Sequence, residues 1–182
     1  MNIYQKFLSP FVLISALALS STAFAADKGY QSVYSPLTGK HCITVGTMTL
    51  EAEQECAGMA GFRVRLIDAD ARQSLTLMKG NKEYPLNFWS TVSSDFSELG
   101  KLIEWRVNID KKSRDLQPIA FIVRFKNSAG DGSKMNSDLV VVDLQRKNIC
   151  AVGVVKATKD GKQNENARKM VDNATGLKCL GN

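Results

Sequence analysis

The chain has 182 residues, 44% of them hydrophobic and 23% charged, with a formal net charge of +6, four cysteines and one histidine. That length suits one ordinary domain able to bury a core. No internal repeat is visible, and beyond the first residues no apolar segment is long enough for a transmembrane helix, which excludes a repeat array and a helical membrane bundle.

Residues 1–25 read MNIYQKFLSPFVLISALALSSTAFA. Lys6 supplies a positive start, an apolar run covers 11–19, and Ala23-Phe24-Ala25 is a small-x-small cleavage pattern. The run is shorter than the roughly 20 residues a bilayer requires. The expectation is a signal peptide cut after Ala25 and an exported chain, periplasmic or secreted, forming one domain over 26–182. All four cysteines lie in that domain, and an even count in an exported chain points to disulfides. Spacing favours Cys42–Cys56 and Cys150–Cys179, each closing a local loop, although four cysteines allow three connectivities. A zinc site or free thiol is the alternative, against which stands the lack of any CxxC pair.

Further along, GFRVRL (61–66) and SLTLM (74–78) alternate apolar and polar residues, as half-buried strands do. IDADARQ (67–73) lies between them, so a hairpin is expected. Residues 83–89 read as extended. Residues 93–100, SSDFSELG, read as a short helical turn near 94–99 with Gly100 closing it. In LIEWRVNI (102–109), Ile103, Trp105, Val107 and Ile109 share one face. PIAFIVRF (118–125) and LVVVDL (139–144) hardly alternate, which suggests burial on both faces. ICAVGVV (149–155) should pair antiparallel with the latter, with a bulge at Gly153. Residues 164–175 form a helix by the spacing of Ala167, Met170, Val171 and Ala174, with Glu165 and Lys169 as an i,i+4 pair. The expected fold is α+β, mainly β: an antiparallel sheet, sandwich or partly closed barrel carrying a C-terminal helix.

Charge is unevenly placed. Residues 26–145 balance at 15 basic against 15 acidic, whereas 146–182 carry eight basic and three acidic side chains. A local positive field attracts anionic partners. The candidate partner-binding residues are Lys156, Lys159, Lys162, Arg168 and Lys169, with Trp89 and Trp105 as candidates for an aromatic groove beside Phe88 and Phe96. The patch lacks the elements of a nucleic-acid site, so none is expected.

Reaction signatures are sparse. His41, the single histidine, has no hydrolase motif around it. Asp68 and Asp70 would share a strand face in a strand and could meet one cation or work as an acid/base pair, but aspartate favours turns and Arg72 can offset Asp70, so a hairpin turn is the expectation. Glu51, Glu53 and Glu55 repeat every second residue without a ligand pattern, and Asp131-Gly132-Ser133 carries no phosphate-binding fingerprint. No catalytic residue, metal or cofactor is assigned.

The runs GFRVRLIDADARQSLTL and YPLNFWSTVSSDFSELGKLIEW give the chain a layout that resembles a family of small exported proteobacterial proteins with paired cysteines. The resemblance implies a periplasmic address and carries over no activity. The expected function is a non-enzymatic binding or envelope-associated module for an anionic or glycan partner. The alternatives are an inhibitor or chaperone-like partner of another envelope protein, and a hydrolase with a carboxylate-based site.

Overall fold

The computed structural model describes residues 29–49, 51–128, 134–174 and 176–181. The expected leader, 1–25, and the loop of Asp131, Gly132 and Ser133 lie outside the described residues. The elements run β1 (Gln31–Pro36), a 3-10 turn (Gly39–His41), β2 (Cys42–Met48), β3 (Glu51–Ala57), β4 (Phe62–Ala69), β5 (Arg72–Lys79) and β6 (Lys82–Pro85). There follow α1 (Phe88–Thr91), β7 (Ser97–Ile109), β8 (Leu116–Ser128), β9 (Met135–Asp143), β10 (Cys150–Val155) and α2 (Gln163–Asp172). The strands form one sheet in the order β10-β9-β8-β7-β5-β4-β3-β2, with β1 on β7 and β6 on β5. Every pairing is antiparallel except a single parallel contact, Arg72 with Ser97, between β5 and β7. The sheet does not close, so the barrel alternative is corrected: β2 and β10 remain its two ends.

That narrow junction lets the two halves of the sheet fold face to face. Phe62, Val64, Leu75 and Leu77 from β4 and β5 share one apolar cluster with Ile103, Trp105, Phe121, Val123, Phe125 and Val140 from β7 to β9. Trp105 lies between Phe62 and Phe121, at centroid separations of 6.0 and 5.5 Å. Its indole N–H donates to the Ser35 hydroxyl at 2.8 Å, meeting the need that burial creates. The opposite faces of β8, β9 and β10 form a second cluster, in which Ile122, Leu139, Val141 and Val152 meet Ala167 and Val171 of α2. The weak alternation of 118–125 and 139–144 therefore has the expected cause: a core on one side and a helix on the other.

The β9–β10 ladder shifts register between Ala151 and Gly153, the expected bulge. A Cβ on Gly153 would lie 2.2 Å from Met170 Sδ, so the missing side chain also lets α2 approach the sheet. Both disulfides have the favoured connectivity: Cys42–Cys56 links directly paired residues of β2 and β3, and Cys150–Cys179 ties the tail beyond α2 to β10.

Three strands had no clear sequence signal. In β3, EAEQECA is poor in β-branched residues, yet Glu55 faces Arg65 in the ladder and accepts from Arg63 and Arg65 at 2.9 Å each. Cross-strand pairing outweighs propensity there. The short helix expected near 94–99 is also corrected. It lies earlier, at Phe88–Thr91, while Ser97, Glu98 and Leu99 already pair with Asn127, Lys126 and Phe125 of β8. Gly100 ends no helix; it sits where β7 bulges opposite β8, between Leu99 and Ile103.

Candidate functional site

IDADARQ forms the tip of the β4–β5 hairpin. Ala69 pairs with Arg72, leaving Asp70 and Ala71 as a two-residue loop with φ of 50° and 56°, the left-handed pair of a type I′ turn. Arg72 binds Asp70 Oδ2 at 2.6 Å, donates to the Ser94 carbonyl at 2.8 Å and lies 5.0 Å from the centre of the Phe96 ring. Asp68 accepts from Gln73 Nε2 at 2.8 Å, and Gln73 Oε1 accepts the Leu99 N–H at 2.8 Å. The two aspartates are thus engaged by different partners, and the motif clasps the hairpin to the start of β7. Among the described residues no cluster of His, Cys, Asp and Glu is placed to hold a metal. His41 is exposed at the end of the 3-10 turn. Glu53 and Glu55, with Glu83, surround Arg65 on the face of β3 to β6.

The aromatic candidates disperse. Trp105 and Phe88 are fully buried, which removes Trp105 as a groove residue; Trp89 is half-buried on α1, and Phe96 is exposed beneath Arg72. Most of the basic candidates are neutralised by acids from the balanced part of the chain or from α2 itself. Lys156 holds Asp138 at 2.7 Å, Arg168 holds Glu104 at 2.5 Å and Lys169 holds Glu165 at 2.6 Å. Lys159 and Lys162 are exposed and make no ion pair among the described residues.

What the fold does assemble is a polar seam between α2 and the outer face of β1, β7 and β8. Register places Ser32 opposite Arg106 and Tyr34 opposite Glu104, and alternation turns these four away from the Trp105 core. Arg106, 7% exposed, donates from Nη2 to both Asp172 oxygens at 3.0 Å and from Nε to Oδ1 at 3.3 Å, and its Nη1 reaches the Ser32 hydroxyl at 2.9 Å. Ser32 donates to Glu104 at 2.6 Å, and Arg168 grips both Glu104 oxygens while donating to the Tyr34 hydroxyl at 3.1 Å. Burial by itself pushes the Glu104 carboxyl up. The hydrogen bonds from Arg168 and Ser32 and the charges of Arg168 and Arg106 together outweigh it, so the group sits below the usual glutamate range. The Glu104 bond also raises Arg168, against the effect of burial.

Beside this seam is a cleft of about 160 Å3 lined by Tyr34, Leu102, Glu104, Arg124, Asn164 and Arg168, among others. Glu104 and Arg168 cancel. Among the described residues Arg124, half-buried on β8, bonds only to neutral groups: Ser137 Oγ at 2.9 Å and Gln163 Oε1 at 3.1 Å. The cleft therefore carries one uncompensated positive charge. The β7 bulge faces Arg124, and a Cβ on Gly100 would lie 2.8 Å from its Cβ, so bulge and glycine together make room for this side chain. A wider opening of about 730 Å3 lies near Cys179, but Arg146 there is already bound by Asp143 at 2.7 Å and by the Leu177 carbonyl.

Sequence reading reached Arg168 through the charge excess and missed Arg124, Glu104 and Tyr34. The available signal was Arg124 itself, the one charged residue inside PIAFIVRF. No protein-family model matches the chain, and no curated protein or solved structure matches it. No described helix is long and apolar enough to cross a membrane.

Proposed function

We propose that the protein is an exported, non-enzymatic binding module that holds an anionic partner of the bacterial envelope on the face carrying α2. The observation that carries this reading is the Arg124 charge, set in a cleft without a carboxylate partner among the described residues. Lys159 and Lys162, in no close ion pair among the described residues, lie just before α2, next to Gln163, which bonds Arg124. Buried charges are normally paired, so an unpaired guanidinium facing an open cleft suits a partner that brings the anion. Two disulfides and the leader-like residues 1–25 fit an oxidising compartment outside the cytoplasm.

Co-sedimentation with purified peptidoglycan and retention on immobilised lipopolysaccharide, with heparin resin as control, test the reading. Retention should fall as salt rises and weaken in the Lys159→Glu, Lys162→Glu double variant. Absence of salt-sensitive retention on all three supports would sink it.

A second reading, a partner for another envelope protein, draws on β2. This end strand contains no charged residue and no proline, and it exposes Ile43 (66%) and Val45 (46%). Such an edge accepts an added strand from an extended segment. The register shift between Thr44 and Gly46 limits how long that strand can be.

A further inference from the structure

Resting on the anionic-partner reading, we infer that the cleft beside α2 is a subsite for one carboxylated sugar ring, with Arg124 as its anion ligand. Size points to a single ring. The volume is about 160 Å3, close to the roughly 150 Å3 of a cavity that admits one benzene molecule, and far from what a polymer stretch would fill.

Charge and donor geometry point to a carboxylate. Arg124 spends Nη1 on Ser137 and Gln163, which fixes the guanidinium plane from one end. Its Nε and Nη2 find no acceptor among the described residues, neither is fully buried, and Arg124 lines the cleft. Nε and Nη2 are the edge that presents two parallel N–H groups, the fork that matches a carboxylate's two oxygens. Glu104 does not compete, because Ser32 and Arg168 already occupy its oxygens.

The remaining wall suits a sugar better than a bare anion. Tyr34, 52% exposed, offers a ring face, and its hydroxyl is oriented by Arg168. Leu102, also 52% exposed, adds an apolar rim, and Asn164 supplies an amide able to both donate and accept. A free phosphate would use Arg124 and leave these groups idle.

Titrations of the 26–182 chain followed by 15N–1H shifts, with D-glucuronate, D-glucose and inorganic phosphate as probes, test this. Glucuronate should bind at least about tenfold more tightly than glucose or phosphate. Arg124→Gln should abolish the preference and Arg124→Lys restore part of it. Asn164→Asp, at an exposed position that need not disturb folding, should also abolish glucuronate binding with the thermal midpoint unchanged. Phosphate binding as well as glucuronate, or indifference to both Arg124→Gln and Asn164→Asp, would overturn the sugar assignment. Polymer retention without glucuronate binding overturns the subsite alone; glucuronate binding without retention on any polymer overturns the envelope-polymer reading and leaves the subsite standing.

Discussion

Replacing Arg168 with alanine strips the Glu104 carboxylate of its main partner beneath α2. The Glu104 side chain is 10% exposed and that of Arg168 is 37% exposed. Removing one member of a buried ion pair costs about 3–5 kcal/mol, because a charge is left behind in a poor solvent. Here the solvent-facing side of Arg168 lets water replace it, and the Ser32 hydroxyl stays, so a cost near the bottom of that range or below it, about 2 kcal/mol, is expected. For a domain of this size that lowers the thermal midpoint by roughly 4–8 °C. The pH dependence gives a sharper signature. In the parent chain Glu104 lies below its unfolded value of 4.5, so its stabilisation is present above that pH and is lost as pH falls through the folded value. In the variant burial acts with less opposition, the carboxyl rises, and the penalty shrinks on acidification. The gap between the two proteins should be widest at pH 7 and narrow towards pH 4, measured by urea unfolding at each pH. A cost below about 0.5 kcal/mol, the level of an ordinary surface pair, or a gap that does not change with pH, would refute a folded ion pair at this seam.

The other expectations test separate parts of the fold. Replacing Cys150 and Cys179 together by alanine opens a loop with a sequence separation of 29; the chain-entropy cost of about 3.5 kcal/mol should appear as a lower urea midpoint. Gly153→Ala should cost about 1 kcal/mol by pressing on Met170, and the increment should vanish in a Met170→Ala background, a thermodynamic cycle read by thermal unfolding. Ala71→Gly, at φ 56°, should stabilise by about 0.5–1 kcal/mol, since glycine accepts a left-handed turn position without the Cβ penalty.

Much of the fold was legible because periodicity reports burial. The hairpin around IDADARQ, the strands of 102–109, 118–125, 139–144 and 149–155, and the helix of Ala167 and Val171 all follow from which side chains repeat on one face. Both cysteine pairings followed from local spacing. The first three strands were not legible. β1 carries Ser32, Ser35 and Pro36, and β3 three glutamates; each is held by what it pairs with, β7 or β4, and that partner is invisible locally. The helix expected near 94–99 failed for a related reason, because Ser97 is recruited by Ala71 and Asn127 into β7.

The site was less legible than the fold. Alternation correctly set Glu104 and Arg106 opposite Trp105, but a polar face reads as solvent-exposed, and nothing in the strand announces that α2 will cover it. Likewise the C-terminal basic excess counted charges without knowing which acids would meet them. Arg168 and Lys156 are consumed by Glu104 and Asp138, whereas Arg124, in a segment read as apolar core, meets no acid among the described residues.

Mapping backbone amide shifts of the 26–182 chain as a soluble acidic polysaccharide is added shows whether an anionic partner is held on the α2 face. Salt-sensitive shifts should gather at Tyr34, Leu102, Arg124 and the segment from Lys159 to Arg168. Shifts gathered instead along Ile43 to Val45 or at the Asp70 turn, or none at any salt concentration, would contradict it.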